Sequence, residues 1–422
     1  MAKATGFKTP KGTRDVGPPD SARWQALISA FEREAQLANY GLLHTPIFED
    51  IGVFQRIGEG TDVVQKQMWD FLDKGDRRMV LRPENTASVC RSFVQQRPIV
   101  PWKIWYQGPF FRYEEPQAGR QRQFNQLGIE VLGSSDADID VEAIALGSRF
   151  LERIGLKRVL LLINSMGDVE TRLKYAQAVQ DYLRANLGDI DREDHEKIEA
   201  HPLRVLDSKR PNTRKVTAEA PRVEQFLSVE AGAHFDRVQA GLGSLGISFA
   251  IEPRLVRGLD YYTHTLFEYQ SSALDTAQNA LGGGGRYNGL VEELGGPDTP
   301  GIGFAMGVER ILLACDAEQA FVPPDTAPVV WIIDVTDGSS ARDLTHELRS
   351  TGVSADRSFD HRSMRSQMKA ADRSGAAWAI IVGDQEVASG VVTLRNLRES
   401  DDQKTIERSQ VVAYLVEVLS QR

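Results

Sequence analysis

The chain has 422 residues, 41% of them apolar and 26% charged, with a formal net charge of −9 at pH 7. That is enough chain for two or three domains and the balance of a soluble globular protein. It has no run near the roughly 18 apolar residues of a membrane span, no hydrophobic core in its opening MAKATGFKTPKGTRD of the kind a signal peptide carries, and only two distant cysteines, Cys90 and Cys315. Membrane insertion, a disulfide framework and a structural zinc site are thereby disfavoured, and the reducing cytosol is the expected compartment. The acidity argues against holding nucleic acid by bulk electrostatics and leaves room for a local basic surface.

In chain order, residues 20–39 predict an amphipathic helix, capped by Asp20 or Ser21, with Trp24, Leu27, Ile28, Phe31 and Ala35 at helical spacing. Gly41 ends it, and Pro46 interrupts the strand-like stretch that follows. From 77 to 133 the pattern turns to strands: RRMVLRP, WKIWYQGPFFRYE and QFNQLGIEVLG, with the short helix TASVCRSFVQQ after the first. The second and third runs are joined by the polar loop EPQAGRQR, which predicts antiparallel pairing. A helix over 137–154 and the strand KRVLLLINS follow. Residues 168–245 read as a polar, helical insertion between two sheet segments. Strand signals return at ISFAIEP and YYTHTLFEYQ, then come the glycine-dense LGGGGRYNGLVEELGG and the helix FAMGVERILLACD. AFVPPDTAP at 320–328 is a linker by composition. Beyond it VVWIIDV, AWAIIVG and GVVTLRN alternate with helices near 339–350, 363–373 and 408–420, the pattern of a separate α/β domain.

The most informative segment is 104–133. Arg112, Arg120 and Arg122 crowd into or beside the hairpin loop. Strand residues alternate faces, so Arg112 and Glu114 point the same way; Phe124, Gln126 and Glu130 share one face on the partner strand. A lone arginine-rich hairpin is more often a solvated surface. Here the polar residues share their faces with aromatics, which favours a site.

FRYE, the basic loop and QFNQLGIEVLG resemble motif 2 of class II aminoacyl-tRNA synthetases, in the form used by the histidyl-tRNA synthetase family. LVRGLDYYTHTLFEY at 255–269 resembles that family's histidine signature, and GIGFAMGVERILL at 301–313 resembles class II motif 3. KGTRDVGP at 11–18 and LRPENTASV at 81–89 also match, so the resemblance runs from residue 11 to the end of the chain. It implies an α+β catalytic domain with a central antiparallel sheet flanked by helices (1–167 and 246–325), a helical insertion (168–245) and a C-terminal α/β anticodon-binding domain (327–422). It further implies activation of histidine by ATP, transfer to the 3′ end of tRNA(His), magnesium as the counterion of ATP, and a homodimer through the segment around the first helix.

Adenylate formation suits these residue types. The amino-acid carboxylate, with a pKa of about 3.5, is already ionised near neutrality, so no general base is needed. The task is positioning and neutralising phosphate charge, for which the arginine fork is well shaped. By resemblance Arg112, Arg257 and Arg310 are the catalytic arginines. Arg120 is a further phosphate contact, Phe124 stacks on adenine and Glu114 lies near its amino group. Glu84, Thr86 and Gln126 with Tyr261 surround the substrate amino group, Glu130 and Tyr262 the imidazole, and Arg112 and Arg257 also border the histidine. Taken singly, Arg310 beside Glu309 reads as a surface ion pair and the glycine run as a flexible turn; in this context the run reads as the pocket floor. No protein ligand for magnesium is visible in the sequence.

Four residues depart from the family pattern. Asn85 stands where glycine is usual, Glu115 where a base is common, Gln121 where an aromatic is frequent, and His264 where glycine is frequent. At the C-terminus Arg357, Arg362, Arg365, Lys369 and Arg373 concentrate positive charge that the domain's position assigns to RNA contact. Two rival readings are a regulatory subunit of ATP phosphoribosyltransferase, which commonly lacks the C-terminal domain, and a class II synthetase for proline, threonine or glycine, which is not expected to carry LVRGLDYYTHT.

Overall fold

A computed structural model of the protein describes residues 6–56, 63–256, 261–274, 279–399 and 403–420. The chain divides into two compact units, residues 1–323 and 324–422.

The first unit is built on an eight-stranded sheet. In chain order its strands are β1 (Gly41–Leu42), β2 (Trp102–Phe111), β3 (Gln123–Leu132), β4 (Val159–Ser165), β5 (Ala250–Ile251), β6 (Thr263–Ser271), β7 (Ala280–Arg286) and β8 (Gly301–Gly307). They lie side by side as β1-β2-β3-β8-β7-β6-β4-β5. The six central strands are antiparallel to their neighbours, and only the two-residue edge strands β1 and β5 run parallel to theirs. The expected hairpin is the pair β2–β3, in register from Trp102 opposite Leu132 to Phe111 opposite Gln123.

One face of the sheet is covered by the helices Asp20–Leu37, Ala137–Arg153 and Val308–Glu318, which bury Phe31, Ile144, Phe150 and Ile311 against Ile129, Phe267 and Phe304. In the first helix Leu27, Phe31, Glu34 and Ala35 are the buried residues, one stripe at helical spacing. The predicted cap is not made: Pro19 occupies the N-cap with no side-chain hydrogen bond, and Asp20 is instead the first helical residue, where its charge favours the positive end of the helix. The other face receives the helix Thr86–Gln96, with Val89 and Phe93 packed among Tyr106, Phe110 and Tyr287.

A fully buried ion pair braces these layers. The Arg286 guanidinium, at the end of β7, contacts the Asp140 carboxylate at 2.6 Å and donates to the carbonyls of Ser134 and Asp136, both at 2.8 Å. Thr265 and His234 also meet the Asp140 carboxylate, at 2.6 and 2.8 Å. These contacts surround the Asp140 carboxylate with the Arg286 charge and with hydrogen bonds, which makes a buried charge tolerable.

The stretch after β4 is helical, as expected. Its elements from Val169–Ala185 to Pro211–Thr217 bury Tyr175, Val179, Leu183, Ile198 and Val205 in a cluster that also takes in Leu162 of β4 and Leu266 of β6. The last helix, Val229–Ser244, differs: Phe235, Val238 and Leu242 join the core under the main sheet. A three-stranded sheet of Phe48–Asp50, Trp69–Leu72 and Arg78–Leu81 stands apart from the main one; its first strand falls in the strand-like stretch that Pro46 interrupts, and the second carries no strand signal in the sequence reading.

In the second unit, strands 330–334, 355–357 and 378–382 are parallel, while 391–396 and 403–407 add antiparallel to one edge. Helices Ser339–Ser350, Met364–Arg373 and Val411–Ser420 accompany them, matching the predicted α/β alternation.

Candidate active site

A cavity of about 320 Å³ opens on the face of the large sheet that carries the helix Thr86–Gln96, and most of the residues singled out in the sequence line it. Its walls include Glu84, Thr86, Arg112, Glu114, Arg120, Phe124, Gln126, Tyr261, Tyr262 and Arg310. Arg257 lies outside the described residues.

The hairpin supplies one wall. β2 stops at Phe111, so Arg112 and Glu114 do not alternate along a strand as expected; they sit in the loop that follows. The chain turns there because the Glu114 N–H donates to the Arg112 carbonyl at 2.9 Å, and Pro116 cannot continue a ladder. Both side chains still reach the cavity. Arg112 donates from Nε to the Pro83 carbonyl at 3.0 Å, and its guanidinium carbon lies 5.2 Å from the centre of the Phe124 ring. Glu114 pairs with Arg120 at 2.9 Å. Phe124 and Gln126 share a face of β3, as alternation requires.

Arg310 comes from the first turn of the helix after β8. It donates to the Gly119 carbonyl at 3.1 Å and to the Ala280 carbonyl at 2.9 Å, so one cation ties the hairpin loop to β7. It is not the surface partner of Glu309, whose carboxylate instead accepts the Asn125 N–H at 3.0 Å. Burial lowers the Arg310 pKa, and the neighbouring cations Arg120 and Arg112 lower it further. Three arginines held this close are costly in isolation and well matched to a polyphosphate.

The wall beside Arg112 is acidic, since the bond from its Nε to the Pro83 carbonyl sets it next to Glu84. Glu84 accepts the Thr86 and Ala87 N–H groups at 2.6 and 3.0 Å, at the start of the helix Thr86–Gln96. Glu130, only 1% exposed, lies directly behind the wall, where Thr86 Oγ1 donates to one carboxylate oxygen at 2.7 Å and the Tyr287 hydroxyl to the other at 2.6 Å. Burial pushes the Glu130 carboxyl up to about 8; the two hydroxyls pull against that and the Glu84 charge adds to it. Burial also raises the Glu84 pKa. A buried carboxylate in the wall with a second directly behind it calls for a cationic or N–H-rich ligand.

The glycine run is not a flexible turn. Gly282–Gly285 form the body of β7, and Gly282, Gly283 and Gly303 line the cavity. A Cβ at Gly284 would lie 1.9 Å from the Gly303 carbonyl oxygen and one at Gly303 would lie 1.7 Å from Glu130 Oε2, so these positions admit no side chain.

The departures from the family pattern find local reasons. Asn85 has φ −115°, so it needs no left-handed tolerance; its Oδ1 accepts from Thr45 at 2.6 Å. Glu115 pairs with Lys11 at 2.6 Å on the surface. His264 has φ +44° beside a register shift in the β6–β7 ladder, a conformation glycine adopts more readily, and its ring lies 5.2 Å from that of His234, tilted by 43°. Gln121 lines the cavity. Sequence reasoning missed Tyr287, Gly303, Glu268 and Asp207, all in the cavity wall. The segment GRYNG contains Tyr287 in plain view, but only the pairing of β3 with β8 and β7 reveals what it touches.

The arrangement of arginine hairpin, acidic wall and glycine floor is that of a class II aminoacyl-tRNA synthetase. A family model described as "Histidyl-tRNA synthetase" matches residues 12–311, and one described as "Anticodon binding domain" matches 329–418. A histidine–tRNA ligase of Rhodococcus erythropolis is 44% identical, with 98% of each chain covered. One of Levilactobacillus brevis is 43% identical over 94% of each. The crystal structure of apo histidyl-tRNA synthetase from S. aureus superposes with a TM-score of 0.82 at 36% identity, covering 97% of this chain and 99% of that one. The chain belongs to the histidyl-tRNA synthetase family.

Proposed function

We infer that the protein is a histidine–tRNA ligase, which joins histidine to ATP as histidyl-adenylate, releases pyrophosphate, and transfers the amino acid to the 3′ end of tRNA(His). The observation that carries this reading is a single cavity lined by Arg112, Arg120 and Arg310 and by the buried Glu84, with the buried Glu130 directly behind its wall. Full-length relatives named as histidine–tRNA ligases weigh for it over the regulatory-subunit reading.

In the assignment we propose, Arg112 holds the α-phosphate, Arg257 approaches it from the other side, and Arg310 and Arg120 meet the remaining phosphates. Phe124 stacks on adenine with Glu114 near its amino group. Glu84, Thr86, Gln126 and Tyr261 take the histidine amino group; Glu130 and Tyr262 take the ring. Among the described residues no group of three or more His, Cys, Asp or Glu side chains could hold a metal ion. Magnesium would accompany the ATP phosphates as their counterion, where it supplies further charge neutralisation, and Glu114 and Glu268 are carboxylates in the same cavity.

We further propose the division 1–167 with 246–325 as catalytic domain, 168–245 as insertion and 327–422 as anticodon-binding domain. A homodimer is supported by the open apolar face of the three-stranded sheet, with Phe48 55% and Phe71 42% exposed. A cytoplasmic setting fits the two buried free cysteines and the absence, among the described residues, of a helix able to cross a membrane. ATP–pyrophosphate exchange with each of the twenty amino acids tests the function. Exchange with histidine alone is expected; exchange with none would favour the regulatory-subunit reading.

A further inference from the structure

We propose that Tyr287 is a positioning residue for amino-acid selection: it acts through Glu130, whose carboxylate it shares with Thr86, and turns this part of the cavity into a surface of hydrogen-bond acceptors. The proposal rests on the histidine-activating reading above and names a residue that reading does not use.

The geometry begins with the sheet register. Glu130 on β3 stands directly opposite Gly303 on β8, and because position 303 has no side chain the carboxylate lies across the neighbouring strand. A carboxylate in that space could rotate about its last bond. It is stopped from doing so by two hydroxyls on two different elements: Thr86 at the head of its helix, at 2.7 Å, and Tyr287 just past β7, at 2.6 Å. Tyr287 is itself fixed. Its N–H donates to the Gly301 carbonyl at 2.9 Å, the Tyr261 ring packs edge-on against it at 5.9 Å, and the residue is only 1% exposed. The clamp therefore needs no ligand to assemble.

The chemistry follows from where the protons are. A hydroxyl has one proton to give and two lone pairs. Thr86 and Tyr287 both spend their proton on Glu130, so each keeps only acceptor capacity. Each Glu130 oxygen also retains acceptor capacity beyond the hydroxyl it receives. With Glu130 ionised, carboxylate and hydroxyls together offer no donor, so they favour a ring that brings N–H groups and disfavour a ring of the same size without them.

The test is Tyr287→Phe, measured by histidine-dependent ATP–pyrophosphate exchange beside the wild type, with β-(2-thienyl)alanine as a competitive probe of similar ring size that lacks N–H. Loss of a hydrogen bond to a charged group predicts a histidine KM raised about tenfold or more. The kcat, the ATP KM and the thienylalanine inhibition constant should stay within about twofold, since none of them uses the acceptor surface lost. A histidine KM unchanged in a wild-type-like background overturns the role of Tyr287 and leaves the enzyme reading standing. Parallel losses in kcat, ATP KM and thienylalanine binding also overturn it, because they mark a general disturbance of the fold. A wild-type protein without histidine-dependent exchange removes the enzyme reading itself, and the proposal with it.

Discussion

The Arg112 guanidinium stands over the Phe124 ring, 5.2 Å from its centre, while its Nε is held by the Pro83 carbonyl at 3.0 Å. One residue thus joins the proposed phosphate end to the proposed adenine platform, and its fork is oriented before substrate arrives. Arg112→Ala should lower adenylate formation by roughly 10²–10³-fold, the usual cost of one preorganised charge contact. Arg112→Lys should fall between, keeping charge and losing the planar fork. The melting temperature should barely move, since Arg112 is only partly buried. Exchange kinetics on the three proteins decide it; an alanine variant within threefold of wild type would remove Arg112 from the mechanism.

Glu130 should set a stability–activity conflict. Its carboxyl is raised from 4.5 to about 8, so between those values the folded state binds more protons than the unfolded one. Stability contributed by this site is then full below about 4.5 and declines as pH rises toward 8. Glu130→Gln removes the penalty of a buried charge. It should melt a few degrees higher than wild type at pH 9, differ little at pH 5, and lose histidine activation by orders of magnitude. Calorimetric melts at the two pH values, with exchange assays beside them, provide the check; equal shifts at both would contradict the raised carboxyl.

The three-stranded sheet predicts the assembly. Phe48 and Trp69 both pair with Leu81, and Phe71 with Met79, so these side chains share one face, while Val80 on the other is fully buried. Phe48→Glu combined with Phe71→Glu should convert a dimer to a monomer in sedimentation equilibrium. A wild-type protein that sediments as a monomer would refute the proposed dimer outright.

On the C-terminal unit, Arg365 and Lys369 are exposed on one helix, with Arg362 and Arg373 exposed nearby. Reversing Arg365 and Lys369 to glutamate should raise the tRNA KM about tenfold at moderate salt, with a shallower salt dependence. Pyrophosphate exchange should be untouched. Equal charging kinetics in the double variant would assign these charges to solubility alone.

Much of this was legible in the sequence because it is local. The β2–β3 hairpin announces itself by alternation and a polar loop, the helix Thr86–Gln96 by its apolar spacing, and the C-terminal unit by its βα rhythm. The site arginines were legible because fixed cations beside aromatics are poor core material. What stayed hidden depends on long-range register. Nothing in the neighbourhood of Gly303 says that it faces Glu130, and Tyr287 looks like any core tyrosine until β7 and β8 are laid beside β3. Arg112 and Glu114 were placed on a strand because alternation alone does not show where a ladder stops.

The floor of the cavity has a consequence of its own. Across Gly282, Gly283 and Gly303 the ligand would rest on main chain, and main chain has no rotamers to exchange. Such a surface cannot be deepened by trimming a residue or adapted by a side chain swinging aside, as the floor of an ordinary pocket can. Any substitution there only adds bulk, and the sheet beneath must move as a whole to receive it. Changes in what this protein accepts should therefore arise at the walls, at Thr86, Gln126 and Tyr262, while the floor stays as it is through any series of variants that still folds.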